Sequence, residues 1–482
     1  MNIGKPKRLT NRASIDFSSY WNSIDWKLIE MKVSKLQSRI AKAISMNRIN
    51  LVKKLQYLLS KSFYAKLLSV KRITSNKGKR TAGVDGAVWS SSSRKYEGAV
   101  SLSNKKYKSA PLKRTYINKS NGKKRPLGIP TFKDRAMQAL YLLCLDPVSE
   151  SILDTTSFGF RKYRSSKDSC EHLFNCLASK NSSQWILEGD IKGCFDNISH
   201  NWLQENVLMD KTILRQFLKS GFVFNKTLFE TKAGTPQGGI ISPTLANITL
   251  NGLSKMLRNK YWSNSVGSID RQYNKEKVNI TIYADDFIVT AKSRDTLVEI
   301  KTMIEVFLKA RGLELSNEKT VITHINKGFD FLGWNFRKYK NKLIIKPSKK
   351  SFKNITKKIR DVIKKNLMQK QDILIIQLNQ IIRGWSNYHR HICAKKSFQT
   401  LDSKIFRYLW TWAKRRHPMK SKTWRKNRYF TKNNFRDWIF ESENERLIFA
   451  SDIKIKRHVM IKIKANPYLK EYEQYYLKRK AC

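Results

Sequence analysis

The sequence predicts an α+β fold, and three features carry that prediction. Before residue 340, short alternating apolar runs bounded by Gly, Pro and Asn interchange with segments of helical period. After residue 348 the chain turns to long Lys-rich and Trp-rich stretches that read as helices. Within the first part, "NITIYADDFIVT" (279–290) places adjacent carboxylates, Asp285 and Asp286, between two strand-like runs, the pattern of an antiparallel hairpin.

The elements follow in order. Residues 26–70 carry Val33, Leu36, Ile40 and Ile44, then Val52, Leu55 and Leu59, at steps of three and four, which predicts two helices. "NRIN" (47–50) separates them, with Asn50 as the expected N-cap. A Gly- and Lys-rich loop, "SNKGKRTAGVDG" (75–86), comes next. "INKSNGKKRPLGIP" (117–130) reads as strand, Gly-centred turn, strand, and residues 131–150 as a helix ending at Pro147. "SQWILEGDIKGCFDNIS" (183–199) begins as a strand and ends in a polar turn. "AGTPQGGIISPTLANITLNGL" (233–253) is a Gly/Pro loop feeding an apolar helix. A helix near 295–311 and a strand pair in "KGFDFLGWNF" (327–336) complete this part, and the change of character places a boundary near 340–350.

The 482 residues carry 96 Lys+Arg against 37 Asp+Glu, a net charge of +59. That much like charge opposes compaction until a polyanion neutralises it, and nucleic acid is the obvious one. The six cysteines form no C-x-x-C pair, which excludes a zinc ribbon and argues for reduced thiols. No apolar run approaches 18 residues, and "MNIGKPKRLTNRASIDF" lacks a secretory core, so neither a membrane span nor secretion is expected.

In so basic a chain, two adjacent acids need a reason. Val278, Ile280, Ile282 and Ala284 share one face of a strand, and Asn279, Thr281, Tyr283 and Asp285 the other. The hairpin turn therefore falls at Asp285 and Asp286. Two carboxylates this close repel, and a hard cation such as Mg²⁺ relieves that cost; a plain β-turn is the competing reading. "EGDIKGCFDN" adds Asp190 at the end of another strand, with Trp185 and Leu187 on one face and Ile186, Glu188 and Asp190 on the other. Three carboxylates at strand ends would suit a two-metal phosphoryl-transfer site. Asp196, six residues beyond Asp190, is read as a turn residue.

These residues carry a resemblance. Asp190 with Phe195, then "TPQGG" (235–239), then Tyr283-Ala284-Asp285-Asp286, then Lys319, stand in the order of the reverse-transcriptase palm motifs. With "TAGVDG" (81–86), "KKRPLGIPTFKDR" (123–135), "SFGFRKYRSS" (157–166), "FLGW" (331–334) and "RGWSNYHR" (383–390), the chain resembles a group II intron-encoded protein over nearly its whole length.

The resemblance implies a right-hand polymerase of fingers, palm and thumb, with an antiparallel palm sheet and a helical basic C-terminal region. It divides the chain into an N-terminal extension (1–100), fingers and palm (101–340), a thumb or maturase domain (345–430) and a basic DNA-binding region (431–482). Asp190, Asp285 and Asp286 would be catalytic and, with Ile191 through its main-chain carbonyl, would hold Mg²⁺. Phe195 would lie under the incoming sugar and exclude a 2′-hydroxyl; the bland reading is a core Phe. Lys119 and Arg125, on opposite arms of the hairpin, would embrace a triphosphate. Gln237 would contact the nascent base pair, and Lys319 would protonate the leaving pyrophosphate; a helix-entry turn and a solvated lysine are the alternatives.

In "DILIIQLNQIIRGWSNYHRHI", Leu374, Leu378, Ile381, Trp385 and Tyr388 follow a core stripe, leaving Arg383, Asn387 and His389 to face RNA. Trp424 and other rings interleave with cations further on, as base stacking on RNA requires. The implied partners are group II intron RNA, target DNA, an RNA template with a DNA primer, and deoxynucleoside triphosphates. The implied function is an RNA-directed DNA polymerase and maturase, located in a bacterial cytoplasm at the nucleoid or in an organellar matrix. Rival readings are a non-enzymatic splicing factor and a reverse transcriptase recruited to host defence. The family often continues into an HNH endonuclease. With no Cys/His cluster near its end, this polypeptide is expected not to cut the second DNA strand.

Overall fold

A computed structural model describes residues 16–118, 122 and 124–481. The first fifteen residues, Lys119 and Cys482 lie outside the described residues. The chain is α+β. Its strands are β1 (Leu112–Asn118), β2 (Lys124–Ile129), β3 (Trp185–Asp190), β4 (Phe222–Phe224), β5 (Thr227–Phe229), β6 (Asn279–Tyr283) and β7 (Asp286–Ala291). They continue as β8 (Val321–His324), β9 (Phe329–Phe331), β10 (Trp334–Tyr339), β11 (Lys342–Pro347), β12 (Phe430–Asn433) and β13 (Arg436–Phe440).

The expected break between the first long helices is present, but Asn50 does not cap it. The helix Trp26–Ser45 ends with Asn47 at φ 54°, the Arg48 N–H bonding Ala43 O and the Asn47 N–H bonding Ile44 O. This is the left-handed closure that Asn tolerates. The next helix, Ile49–Lys61, starts after Arg48 without a side-chain cap, and Asn50 lies inside it.

Pro147 does not end its helix either, which runs Phe132–Ile152. A proline removes the N–H that would satisfy the carbonyl four residues back, here Leu143 O. Gln37 Nε2 donates to that carbonyl at 2.8 Å, and Gln56 Nε2 to Cys144 O at 3.2 Å. Both glutamines are buried and belong to the two preceding helices, so tertiary contacts repair the defect.

The central sheet has the order β6-β7-β3-β8, with all neighbours antiparallel. Leu187, Ile280, Ile282, Phe287 and Val289 join the main core with the helix Phe132–Ile152 and the helix Arg294–Lys309. Ile186 and Ile288 point into a second core with Leu173 and Leu177 of the helix Ser166–Leu177. The face that alternation left open is therefore covered: Thr281 is buried, and its hydroxyl lies 2.7 Å from His172 Nδ1 of that helix.

The second core continues past residue 340. Trp334 and Phe336 of β10 and Ile345 of β11 pack with Ile359, Leu378, Phe398 and Trp412 of the helices Lys349–Lys365, Gln371–His389 and Lys395–Arg416. The β12–β13 hairpin adds Phe430 and Phe440. The chain then returns to the first part. Ile461, Ala465 and Tyr476 cluster with Phe158, and buried Asp168 accepts from the Ile461 N–H and Arg479 Nη2. Among the described residues no helix is long and apolar enough to cross a membrane.

Candidate active site

The register of the central sheet brings the predicted carboxylates together. Asp190 closes β3, Asp286 opens β7, and the two are direct partners across antiparallel strands. Tyr283 pairs with Asp286, so Ala284 and Asp285 alone make the β6–β7 turn. Ala284 takes φ 57°, a left-handed conformation that costs an L-residue roughly 1–2 kcal/mol. Two glycines permit this geometry. A Cβ on Gly159 would stand 2.4 Å from the Ala284 nitrogen, and one on Gly189 would stand 2.1 Å from the Phe287 ring.

Like charge is concentrated here. Burial, then Asp285 and Asp190, push the Asp286 carboxyl up to about 6, while Lys319 pulls the other way. Lys319 Nζ contacts both Asp190 oxygens, at 3.0 and 2.7 Å, and the hydrogen bond to Asp190 raises its own pKa. Among the described residues no three His, Cys, Asp or Glu side chains are grouped closely enough to hold a metal ion. In this geometry the Lys319 ammonium takes the place of a cation on Asp190.

The donor chemistry still fits a hard divalent ion: three carboxylates, with neither His nor Cys among them. Ile191 adds to it. In its bridge with Leu315 the bonds run from Lys192 N–H to Glu314 O and from Ser316 N–H to Asp190 O. That is a non-hydrogen-bonded pair, so the Ile191 carbonyl takes no part in it.

A second group of predicted residues is joined by hydrogen bonds of its own. Arg125 Nε of β2 donates to Gln237 Oε1 at 2.7 Å, and Gln237 Nε2 donates to Asp196 Oδ2 at 3.1 Å. Asp196, expected in a turn, stands in the short helix Cys194–Asn197 and tethers the 235–239 loop. The Gly128 N–H bonds Gln237 O, and the Thr235 N–H bonds Phe195 O, so this loop is clasped between β2 and the 195–198 turn. Phe195 is 8% exposed and belongs to the main core, its ring edge-on to Phe160 at 6.4 Å. Phe160 is 58% exposed at φ 58°. Sequence reading passed over it as a site residue, although the Phe-Gly-Phe run in "SFGFRKYRSS" placed it beside a glycine. Lys119 lies outside the described residues, so Arg125 alone represents the predicted cation pair.

The four residues expected to face RNA divide. Arg383 and Asn387 are exposed. Trp424 is 36% exposed, with Lys420 Nζ 5.4 Å over its ring and His417 edge-on at 4.8 Å. His389 is a correction: it is buried, with Nε2 3.1 Å from Ser351 Oγ and its ring edge-on to Trp334. Burial, then His391, lower its pKa to about 3, so it is neutral at pH 7. Leu374 and Leu378 of the expected stripe are buried, and Ile381, Trp385 and Tyr388 pack half-buried against the core. The buried face is wider than expected: it also takes in Ile375, Asn379, Ile382, Ser386 and His389, and steps of three and four carry His389 inward.

Three family models match the chain. One describes the reverse transcriptase (RNA-dependent DNA polymerase) at residues 117–336. Another describes the N-terminal domain of reverse transcriptase at 21–102, and the third the group II intron maturase-specific domain at 352–430. The chain is 33% identical over 342 residues to the group II intron-encoded protein LtrA of Lactococcus lactis subsp. cremoris, covering 58% of this chain and 56% of that protein. It is 32% identical over 343 residues to protein YkfC of Escherichia coli (strain K12), covering 63% of this chain and 88% of that one. The chain thus spans about half the length of LtrA. Apo telomerase from Candida Tropicalis aligns over 66% of this chain and 58% of its own at 15% identity, with a TM-score of 0.40 that supports no functional inference.

Proposed function

Because the chain belongs to the family of group II intron-encoded reverse transcriptases, we propose that it copies RNA into DNA and assists the splicing and mobility of a group II intron. The observation that carries the polymerase half is the register pairing of Asp190 with Asp286, with Asp285 on the adjoining turn. In this reading residues 101–340 form the fingers and palm, preceded by an N-terminal extension (1–100). Residues 345–430 form the thumb, and 431–482 a region for target DNA.

Asp190, Asp285, Asp286 and the Ile191 carbonyl would hold Mg²⁺. When bound, the metal activates the primer 3′-hydroxyl and stabilises charge on the transferred phosphate. The other roles fall to the chain itself. Lys319, bonded to both Asp190 oxygens, would pass a proton to the leaving pyrophosphate. Arg125, released from Gln237, offers a bidentate fork to the triphosphate of a deoxynucleotide. Gln237 then faces the nascent base pair, and Phe195, held in the core and backed by Phe160, limits the space beside the sugar. Arg383, Asn387 and Trp424 offer charge, hydrogen bonds and a stacking surface to intron RNA. A bacterial nucleoid or an organellar matrix is the compartment in which these partners meet.

The test is primer extension on an RNA template with purified Asp285→Ala and Asp286→Ala proteins. Both should lose cDNA synthesis while still binding intron RNA and accelerating its splicing. Near-normal cDNA from either variant would dismiss the site. Loss of splicing together with cDNA would dismiss the separation of roles. A parent protein that splices and never polymerises would leave only the splicing-factor reading.

A further inference from the structure

A cavity of about 320 Å³ lies away from the carboxylates, lined by Lys167, Asn387, Arg390, His391, Lys456, Arg457 and His458. Three parts of the chain meet there: the helix Ser166–Leu177, the end of the helix Gln371–His389 with the residues after it, and the returning C-terminal segment. The Lys456 N–H bonds Arg390 O, and Lys167 Nζ donates to Asn387 O at 3.4 Å, so the walls are joined.

The charge in this cavity is one-sided. No carboxylate lines it. Asp168, which holds the lining residue His458 at 2.8 Å, is also spent on Arg479 Nη2 at 2.8 Å and the Ile461 N–H. Glu171 draws on His458 and Arg457 from outside the lining. The walls show the resulting cost. His391 is only 9% exposed, and neither of its ring nitrogens reaches a partner at hydrogen-bonding geometry; the Tyr388 carbonyl draws on it only weakly. A buried, unpartnered imidazole is expensive unless something fills the space it faces. Burial, then Lys167 and His458, lower its pKa to about 4, and burial, then Arg390, lower that of Lys167.

We infer that this cavity is a phosphate site, taking either one phosphodiester of a nucleic-acid strand or a free phosphate. A phosphate presents acceptor oxygens on every side, which suits guanidinium, ammonium, amide and imidazole donors converging from three directions. The volume lies at the lower end of small-molecule pockets, roughly 300–1,000 Å³, enough for a phosphate with a sugar attached. A ligand there would also tie the C-terminal segment to both other walls, so its binding and the docking of that segment would be linked. The inference goes beyond the polymerase reading and uses none of its carboxylates.

The experiment uses the full chain and inorganic phosphate, with chloride at matched ionic strength as the reference. Phosphate should raise the midpoint of thermal unfolding saturably in the parent, and Lys167→Gln and Arg457→Gln should lose most of that rise. Phosphate should also protect Lys167 of the parent from acetylation, read by mass spectrometry, a measurement that needs no variant to fold. Asp286→Asn should respond like the parent, which separates this site from the polymerase reading. A short single-stranded RNA that displaces phosphate, seen as recovery of the narrow ³¹P signal, identifies the strand as the source. Persistence of the broad signal identifies free phosphate. Equal responses to phosphate and chloride, or unprotected Lys167, would overturn the inference.

Discussion

Gly159 lies so close beneath Ala284 that a Cβ on residue 159 would stand 2.4 Å from the Ala284 nitrogen. Both segments are pinned: the Phe158 N–H bonds Ile282 O, and Asn247 Nδ2 donates to Gly159 O at 2.8 Å. Gly159→Ala must therefore push the turn that carries Asp285 and Asp286. Overpacking of this kind costs about 1–3 kcal/mol. We expect cDNA synthesis to fall at least about tenfold, some 1.4 kcal/mol on the barrier, with the circular-dichroism spectrum and RNA binding retained. A Gly159→Ala protein of parental rate would mean that the turn does not need this contact.

Phe195 serves the core and, in the proposed reading, limits the space beside the sugar, so its replacement should show both effects. Phe195→Ala leaves a cavity where an 8% exposed ring stood and should cost about 3–5 kcal/mol in urea unfolding. In the folded protein, ribonucleotides should then compete with deoxynucleotides on an RNA template. Unchanged discrimination, measured below the unfolding transition, would confine Phe195 to packing.

Gln37 and Gln56 allow a helix to pass through Pro147. Gln37→Ala should leave the buried Leu143 carbonyl unsatisfied and cost about 1–3 kcal/mol. Pro147→Ala restores an N–H for that carbonyl, so the double variant should recover part of the loss. Strict additivity of the two changes in chemical denaturation would refute the coupling.

Three of the four buried imidazoles among the described residues set an acid limit. His172 and His391 are lowered to about 4 and His389 to about 3, each by burial first. Unfolded histidines take up protons near pH 6.5, whereas these stay neutral when folded. Their contribution is thus complete above pH 6.5 and is lost as the pH falls towards 4. At pH 5 each should remove on the order of 2 kcal/mol relative to pH 7. His172→Asn should flatten the fall in melting temperature between pH 7 and pH 5. A parent protein equally stable at both values would show that these rings are not buried neutral.

The sequence by itself marked the strands that carry the candidate site and the turn between two of them. Alternation located β3, β6 and β7, and two turn-placed aspartates after a strand-end aspartate stood out in a chain of net charge +59. Such signals are local, written within about ten residues of each other. What the sequence could not decide depended on partners far along the chain. The pairing of Asp190 with Asp286 is a register between strands about a hundred residues apart. The survival of the helix through Pro147 rests on Gln37 and Gln56. Only the tertiary structure turned His389 inward, because a helix's buried face can widen past its expected stripe without violating its period. Only the tertiary structure set the C-terminal segment on Asp168, through His458 and Arg479, since a buried carboxylate binds whichever donors the fold brings to it.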